Sequence, residues 1–497
     1  MAAKTLFFGF DGADHSYMDA MMAEGELPAM ARLKASSRVF HFENDAAMGA
    51  SNFWNAASIG AGPGHHGHYF YMQFKPNTYD IVPNHESSLP DITHFWNTLD
   101  REGYRVGVVD WHRLIAKPMK NGILLDNWLG HDPLTQTIYF PQTIAADAQK
   151  YFNGDAAAGG FACRKRETAE ELKDYLGLIL KRIEVKADFI AEQLRKQNWD
   201  LFIACFAEAH DVGHYYYHLD DPNHERYDAA LARAVREPLR ECYRRLDRAV
   251  DLLVNAAGPD ANIFNLGGPG MEMLVSANHA MEEMMRRIDL GVGAPLSGAE
   301  AARETYRSII PQKLRWKLGP LARAIRKRFA NHEYARRRFF AIPHNDNSGA
   351  VRINVKGREK HGVIARGPAY KAVVQEIRDA LATFKNADTG LPLVKRVVET
   401  SREFPGPYAE LLPDLLVEWN REGAPRNFRK IVSDQYGEID VADNLRTGDH
   451  NPDSFYWAPA SYSGPPVTLP QHVAETVMKA VKGDDVVAPV KPERVIA

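Results

Sequence analysis

The stretch Leu201-Phe202-Ile203-Ala204-Cys205-Phe206-Ala207-Glu208-Ala209-His210-Asp211-Val212-Gly213-His214 decides how this chain folds. Its opening run, Leu201 to Phe206, is apolar and β-prone, which predicts a strand buried on both faces. The polar cluster that follows, continuing to His218, then sits where a strand ends and a loop begins. Active sites of open α/β sheets collect at that carboxyl end. Neutral imidazole and carboxylate suit zinc and similar divalent ions, and His210 and His214 are spaced to reach one ion from a loop or one helical turn. An isolated histidine is more often a surface or core residue, so His218, His112 and His279 stay unranked candidates.

Further strand-like blocks occur at 5–10, 105–109, 261–266, 350–355 and 415–419, with strong helix patterns at 167–197 and 226–257. This alternation predicts an α/β fold with a mainly parallel central sheet flanked by helices. We expect one catalytic domain from 1–295 and 341–482, interrupted by a basic helical insertion at 296–340 and followed by a loose tail at 483–497. The insertion carries Arg303, Arg307, Lys313, Arg323, Arg326, Lys327, Arg328, Arg336, Arg337 and Arg338. It reads as a solvated helix face, or as a lid or docking surface for an anionic substrate or peripheral contact with an anionic membrane.

Composition is that of a globular protein: 497 residues, 45% hydrophobic and 25% charged, with a net charge of -3. That balance argues against a nucleic-acid partner. Cys163, Cys205 and Cys242 give no disulfide framework and fit a reducing compartment. The apolar run Thr5 to Phe10 is too short for a signal peptide, and no run approaches the ~20 residues that span a bilayer, so a cytoplasmic location is expected.

More motifs lie far apart. Phe8-Gly9-Phe10-Asp11-Gly12 puts a carboxylate at the end of the first strand; Ser51-Asn52-Phe53-Trp54 leads to Gly60-Ala61-Gly62-Pro63-Gly64-His65-His66-Gly67-His68; and Arg446-Thr447-Gly448-Asp449-His450 brings a late imidazole. In this order they resemble the type I phosphodiesterase/nucleotide pyrophosphatase family of the alkaline phosphatase superfamily. The segments Arg352 to Glu359 and Leu412 to Trp419 also look like pieces of bacterial members.

The resemblance implies an alkaline phosphatase-like fold and two divalent ions, usually zinc, that clamp a phosphoryl group. One ion would be held by an Asp, a His four residues later and a late His. Those positions match His210, His214 and His450, so an imidazole replaces the first carboxylate. Glu208 and Asp211 become candidates to orient the imidazoles or to ligate in place of His210. The other ion would need Asp11, the nucleophile's oxygen and an Asp-His pair after a later strand. The chain there reads Leu266-Gly267-Gly268-Pro269-Gly270 and offers no ligand. The family's nucleophile register falls on Ala50, with Ser51 beside it.

Two mechanisms follow. A one-residue slip would make Ser51 the nucleophile, with Asn52 or a displaced carboxylate completing the site. Otherwise a substrate carrying its own neighbouring hydroxyl would be cleaved by internal attack, a phospholipase C-like reaction on inositol phospholipids or ribonucleotides. His66 matches the family's loop-supporting His, while His65 and His68 are extra groups able to serve as acid or base. Asp110, at another strand end, could bind substrate or cap the next helix. The expected activity is metal-dependent hydrolysis of a small organic phosphodiester or phospholipid headgroup (a phosphoric diester hydrolase, EC 3.1.4-like), with one or two ions. No sulfatase-type Cys/Ser-x-Pro-x-Arg setting surrounds Ser51. A non-catalytic relative that binds an anionic ligand is the other reading.

Overall fold

The strands Thr5–Phe10 and Leu201–Phe206 are buried at every position and lie side by side at the centre of an eight-stranded sheet. Continuous apolar sequence is what a strand covered on both faces requires. The computed structural model describes residues 4–44, 50–84, 89–112, 115–130, 136–153, 168–293, 333–425 and 427–483, apart from the side chains at 50 and 51. The sheet runs Ser37–Glu43, Asp453–Pro459, Asn262–Gly267, Thr5–Phe10, Leu201–Phe206, Val106–Val109, Ile123–Asp126 and Ile138–Phe140. The inner five strands from Asn262–Gly267 to Ile123–Asp126 are parallel, and antiparallel strands close both edges.

One face of the sheet packs Leu6, Phe8, Phe10, Phe202 and Phe206 against the helices Ala169–Lys196 and Pro238–Ala257. The other packs Phe7, Ile203 and Cys205 against Trp54, Trp96 and Trp111. Phe10 pairs in register with both Phe206 and Gly267, so Asp11, Ala207 and Gly268 emerge together at the carboxyl end.

The helix Ala169–Lys196 begins with a capping box between Thr168 and Glu171 and carries two buried cations toward that end. Lys186 Nζ donates to the main-chain oxygen of Cys205 at 2.9 Å and lies 3.2 Å from both Glu208 and Asp110. Arg182 bonds Asp211 and lies 3.9 Å from Glu208. A buried ionic layer thus ties the helix to the ends of two strands.

Three expectations are corrected. The helix predicted at 226–257 is two helices, Ala229–Val235 and Pro238–Ala257. Pro238 disfavours helical geometry in the residue before it, and Arg236 and Glu237 adopt φ of 61° and 51°. The strands predicted near 350–355 and 415–419 form as Ser348–Ile353 and Leu415–Trp419, yet they do not join the parallel sheet. They are the inner pair of a four-stranded antiparallel sheet with Phe339–Ile342 and Val394–Glu399 at its edges. Its faces are covered by Met284, Ile288, Val373 and Ile377 on one side and by Tyr69, Phe74 and Tyr79 on the other. A doubly covered strand reads as apolar whichever sheet receives it.

Residues 296–332 of the predicted basic insertion, like the tail from 484, lie outside the described residues. Where description resumes, the charges serve structure. Arg337 is buried and donates to Glu282 at 2.6 Å, and Arg338 pairs with Glu376 at 2.7 Å and Asp289 at 2.8 Å.

The ionic layer sets a stability test. Lys186→Met keeps volume but strands Glu208 and Asp110 as buried carboxylates, which costs about 3–5 kcal/mol. Urea denaturation should report that loss, and a change below ~1 kcal/mol would show that the layer is not needed.

Candidate metal centre

Past Phe206 the chain turns at Ala207 into the helix Glu208–Asp220. Residues two apart on a helix stand about 200° apart, whereas residues four apart share a face. His210 and His214 therefore point one way and Glu208 and Asp211 another. The first pair faces the carboxyl end of the sheet; the second meets Lys186 and Arg182. Asp11-Gly12 closes over this turn. His210 N donates to Asp11 O at 3.1 Å, and Gly12 has φ +71°, where a Cβ would lie 2.5 Å from His210 Cα.

The late imidazole arrives on the short strand Gly448–His450, which pairs with Met271–Met273 so that His450 stands opposite Met271. A side chain at Gly448 would collide with Gly213 O at 2.4 Å, so glycine lets this strand lie against the helix. The ring centroids of His210, His214 and His450 are 4.3 to 5.3 Å apart, and one ligand atom from each falls within 4.8 Å of the others. All three are buried.

Hydrogen bonding selects the ligand atoms. His214 Nδ1 lies 2.8 Å from Gly448 O, and His450 Nδ1 lies 3.2 Å from Pro269 O and 3.3 Å from Gly270 O. A carbonyl can only accept, so Nδ1 carries the proton and Nε2 the lone pair. Both Nε2 atoms are buried without a hydrogen-bond partner, as expected of groups arranged for a cation. Burial pushes His214 well below the usual imidazole range and, with His210 nearby, lowers His450 to about 4. Neutral, oriented imidazoles are what a zinc-like ion takes, so the donor set fits one divalent ion.

Asp11 is fully buried. Its Oδ1 accepts from Trp54 Nε1 at 2.9 Å, and its Oδ2 lies 3.0 Å from His210 Nδ1 and 3.4 Å from His112 Nε2. Burial opposes its charge, but His112 and His210 outweigh that and hold the carboxyl well below the usual range. Within residues 266–270, where the family resemblance looks for an Asp-His pair, a side chain at Gly267 would strike the Phe455 ring at 2.0 Å and one at Gly268 would strike Ser454 Oγ at 2.2 Å. The strand Asp453–Pro459, second from the sheet edge, lies against both glycines.

Other predicted site residues fall elsewhere. Glu208 does not join the imidazoles, because helix phase turns it to Lys186 and Arg182. Asp110, at φ 54°, accepts from Trp128 N at 2.7 Å and Leu129 N at 3.0 Å and pairs with Lys186, so it anchors a loop and is not left to a substrate. Ser51 lies in the first turn of the helix Ala50–Ile59, its side chain outside the described residues. Asn52 is buried, its Oδ1 without a hydrogen-bond partner. His65 is exposed; His66 Nδ1 accepts from His68 N at 3.1 Å, and His68 Nε2 lies 3.0 Å from Pro90 O, so the last two brace their own turn. His218 contacts Thr447 Oγ1 at 3.2 Å, and His279 is exposed.

Sequence reading gave too little weight to His112 and Asp449. Asp449 Oδ1 accepts from His450 N at 2.8 Å and lies 3.9 Å from His214 Nδ1, and burial raises its carboxyl to about 6. Position beside a ligand was the available signal for Asp449.

The sequence pattern of the type I phosphodiesterase / nucleotide pyrophosphatase family matches residues 5–425. Comparison with curated proteins gives no match. Among solved structures the chain is similar to phosphonoacetate hydrolase from Sinorhizobium meliloti 1021. Its complex with phosphonoacetate gives a TM-score of 0.55 at 13% identity, covering 97% of this chain and 95% of that one. The complex with phosphonoformate gives 0.53 at 13% identity with the same coverage. Murine ectonucleotide pyrophosphatase/phosphodiesterase 5 with AMP gives 0.49 at 11% identity, covering 98% and 97%. The two phosphonoacetate hydrolase likenesses bear on the fold alone, a mainly parallel sheet flanked by helices.

Buried histidines set a pH dependence for the metal-free protein. Burial lowers His66, His94 and His344 to about 3 and His450 to about 4, against 6.5 when unfolded. Below 6.5 the unfolded chain binds protons that the fold excludes, so stability falls with pH. Asp220 and Asp449, raised by burial to about 7 and about 6, oppose this by taking protons in the fold. The histidines outnumber them, leaving a net loss on the order of 2–3 kcal/mol per pH unit between about 6.5 and 5. Urea midpoints across that window should fall; a flat or rising profile would contradict the burial pattern.

Proposed function

Because the chain belongs to the type I phosphodiesterase/nucleotide pyrophosphatase family, we propose that it is a hydrolase of small organic phosphodiesters working with one divalent ion held by His210, His214 and His450. The observation that carries this reading is the convergence of three buried imidazoles, together with a segment at 266–270 that offers no ligand for a second ion. A bound divalent ion, zinc by the nature of the donors, supplies Lewis acidity and charge neutralisation at the phosphoryl group.

The chain's own groups do the rest. Gly448, Pro269 and Gly270 carbonyls hold the Nδ1 protons of His214 and His450, so both rings keep their lone pairs aimed inward. Asp11 steadies His210 and is itself held by the Trp54 indole. On the one-ion reading there is no second cation to favour ionisation of a serine nucleophile. The attacking oxygen then comes from solvent or from a hydroxyl of the substrate. The second course gives a cyclic phosphate, the phospholipase C-like outcome, and the one-ion reading favours both over a covalent enzyme intermediate.

The test uses purified, metal-loaded protein and bis(p-nitrophenyl) phosphate. One ion per chain is expected by elemental analysis, and His214→Ala should weaken metal binding by more than about 10-fold with parallel loss of hydrolysis. Ser51→Ala should keep activity within about threefold of the parent. Two bound ions, or abolition of activity in Ser51→Ala, would overturn the one-ion reading. With a substrate carrying a neighbouring hydroxyl, a cyclic product marks internal attack and oxygen-18 from water in a linear product marks solvent attack.

A further inference from the structure

We propose that Asn451 is a positioning residue for the metal centre: bonded to Asp14, it fixes the carbonyls that hold His450 in its metal-binding tautomer. This rests on the three-imidazole reading above. His450 Nδ1 lies 3.2 Å from Pro269 O and 3.3 Å from Gly270 O. Those carbonyls belong to the run Gly267-Gly268-Pro269-Gly270, in which only Pro269 has a side chain to anchor it. Other residues have to place it.

The turn that follows His450 does so. Gly270 N donates to Asp453 O at 2.9 Å, and Asn451 N donates to Gly270 O at 3.0 Å, so residues 451–453 hold Gly270 through both of its main-chain polar groups. The Asn451 amide shapes that turn. Its Oδ1 accepts from Asp453 N at 3.0 Å, an Asx-turn arrangement, while its Nδ2 donates to Asp14 Oδ2 at 2.8 Å and to Met271 O at 3.3 Å. A main-chain N–H can only donate and a carbonyl can only accept, which fixes the orientation of the amide. Asn451 is buried, so these bonds are sheltered from competing water.

Asp14 is anchored independently of the imidazoles. Its Oδ1 accepts from Tyr17 N at 2.9 Å as the N-cap of the helix His15–Ala23, and its own N–H donates at 2.8 Å to the hydroxyl of Tyr243 on the helix Pro238–Ala257. Packing leaves little slack at the join. A Cβ at Gly270 would lie 2.6 Å from Asn451 Oδ1 and 2.9 Å from Asp14 Oδ2, so the amide and carboxylate meet beside the Gly270 backbone, where only glycine fits. Two helices thus reach His450 through Asp14, Asn451 and Gly270. The segment that offers no ligand for a second ion supplies instead the acceptors that orient the late imidazole of the first.

The experiment uses the full chain with Asn451→Leu, Asp14→Asn, Asn451→Asp and the exchanged pair Asp14→Asn with Asn451→Asp. It reads the His450 tautomer in metal-free protein from imidazole nitrogen-15 shifts, assigned with His450→Gln, and zinc affinity by chelator competition, with urea midpoints alongside. Asn451→Leu should lose the preference for the Nδ1-protonated form and bind zinc about 10-fold or more weakly. Asp14→Asn keeps a helix cap but sets two amide NH2 groups against each other, so it should show the same losses even if Asn451→Leu fails to fold. Asn451→Asp should weaken both readouts, and the exchanged pair should recover them, because the bond is rebuilt in the opposite sense. Parental tautomer and zinc affinity in Asp14→Asn or Asn451→Leu, with or without a lowered urea midpoint, would overturn the proposal, as would an exchanged pair no better than Asn451→Asp. A parent that binds no zinc would sink the functional reading, while the tautomer shifts would still decide the role of Asn451.

Discussion

A carboxylate with no exposure to solvent has to find its compensation inside the protein, and Asp11 is that group here. It stands at the end of the central strand, where every neighbouring element must supply something to it. The Trp54 indole serves one oxygen; His210 and His112 crowd the other. Because His210 is engaged through Nδ1, the position of Asp11 also sets the orientation of that ring in the cluster. Trp54 fixes the opposing helix, and Gly12 lets the turn pass within contact of His210. The strand order, the helix entry and the imidazole cluster are thus bound to one charge.

Beneath this lies a second, separate balance of charge. Glu208 and Asp211 interleave in sequence with His210 and His214 but belong to the Arg182 and Lys186 layer. The helix Glu208–Asp220 has an ionic face that anchors it and an imidazole face that works. This division turns Glu208 and Asp211 away from the imidazoles and leaves Asp11 as the carboxylate beside His210.

Much of this was legible in the sequence. Unbroken apolar runs such as Leu201 to Phe206 report burial on both faces, and histidines four apart report a shared helical face. Partnership was less legible. Ser348–Ile353 and Leu415–Trp419 have the same apolar character as the parallel strands, because burial does not encode which sheet is joined. Glu208 looked like a ligand because the cluster was read as a list; a helical phase of about 200° over two residues places it on the other side. Asp110 was a strand-end acid whose cation, Lys186, lies on a helix far along the chain. Asp449 had meaning only once the Gly448–His450 strand was seen against the helix, a contact that depends on Gly448.

The departures from the family pattern make sense as one change in charge. The resemblance implies a carboxylate where this chain has His210, a further carboxylate after the strand Asn262–Gly267, and a second divalent ion between them. This chain has lost both carboxylates, and on the one-ion reading it has lost the ion too. Two negative charges and one double positive charge leave together, so the net charge of the centre is unchanged. Loss of the ion alone would have left uncompensated carboxylates in a buried site, at a cost of several kcal/mol. Loss of the carboxylates alone would have left the second ion without ligands. A side chain at Gly267 or Gly268 would strike Phe455 or Ser454, so this packing excludes ligand side chains there. Asp11, the remaining member of that second set, keeps the Trp54 indole on one oxygen and His210 and His112 beside the other. A substitution at His210 alone would not rebuild the two-ion centre, because the packing over Gly267 and Gly268 would still exclude the other ligands.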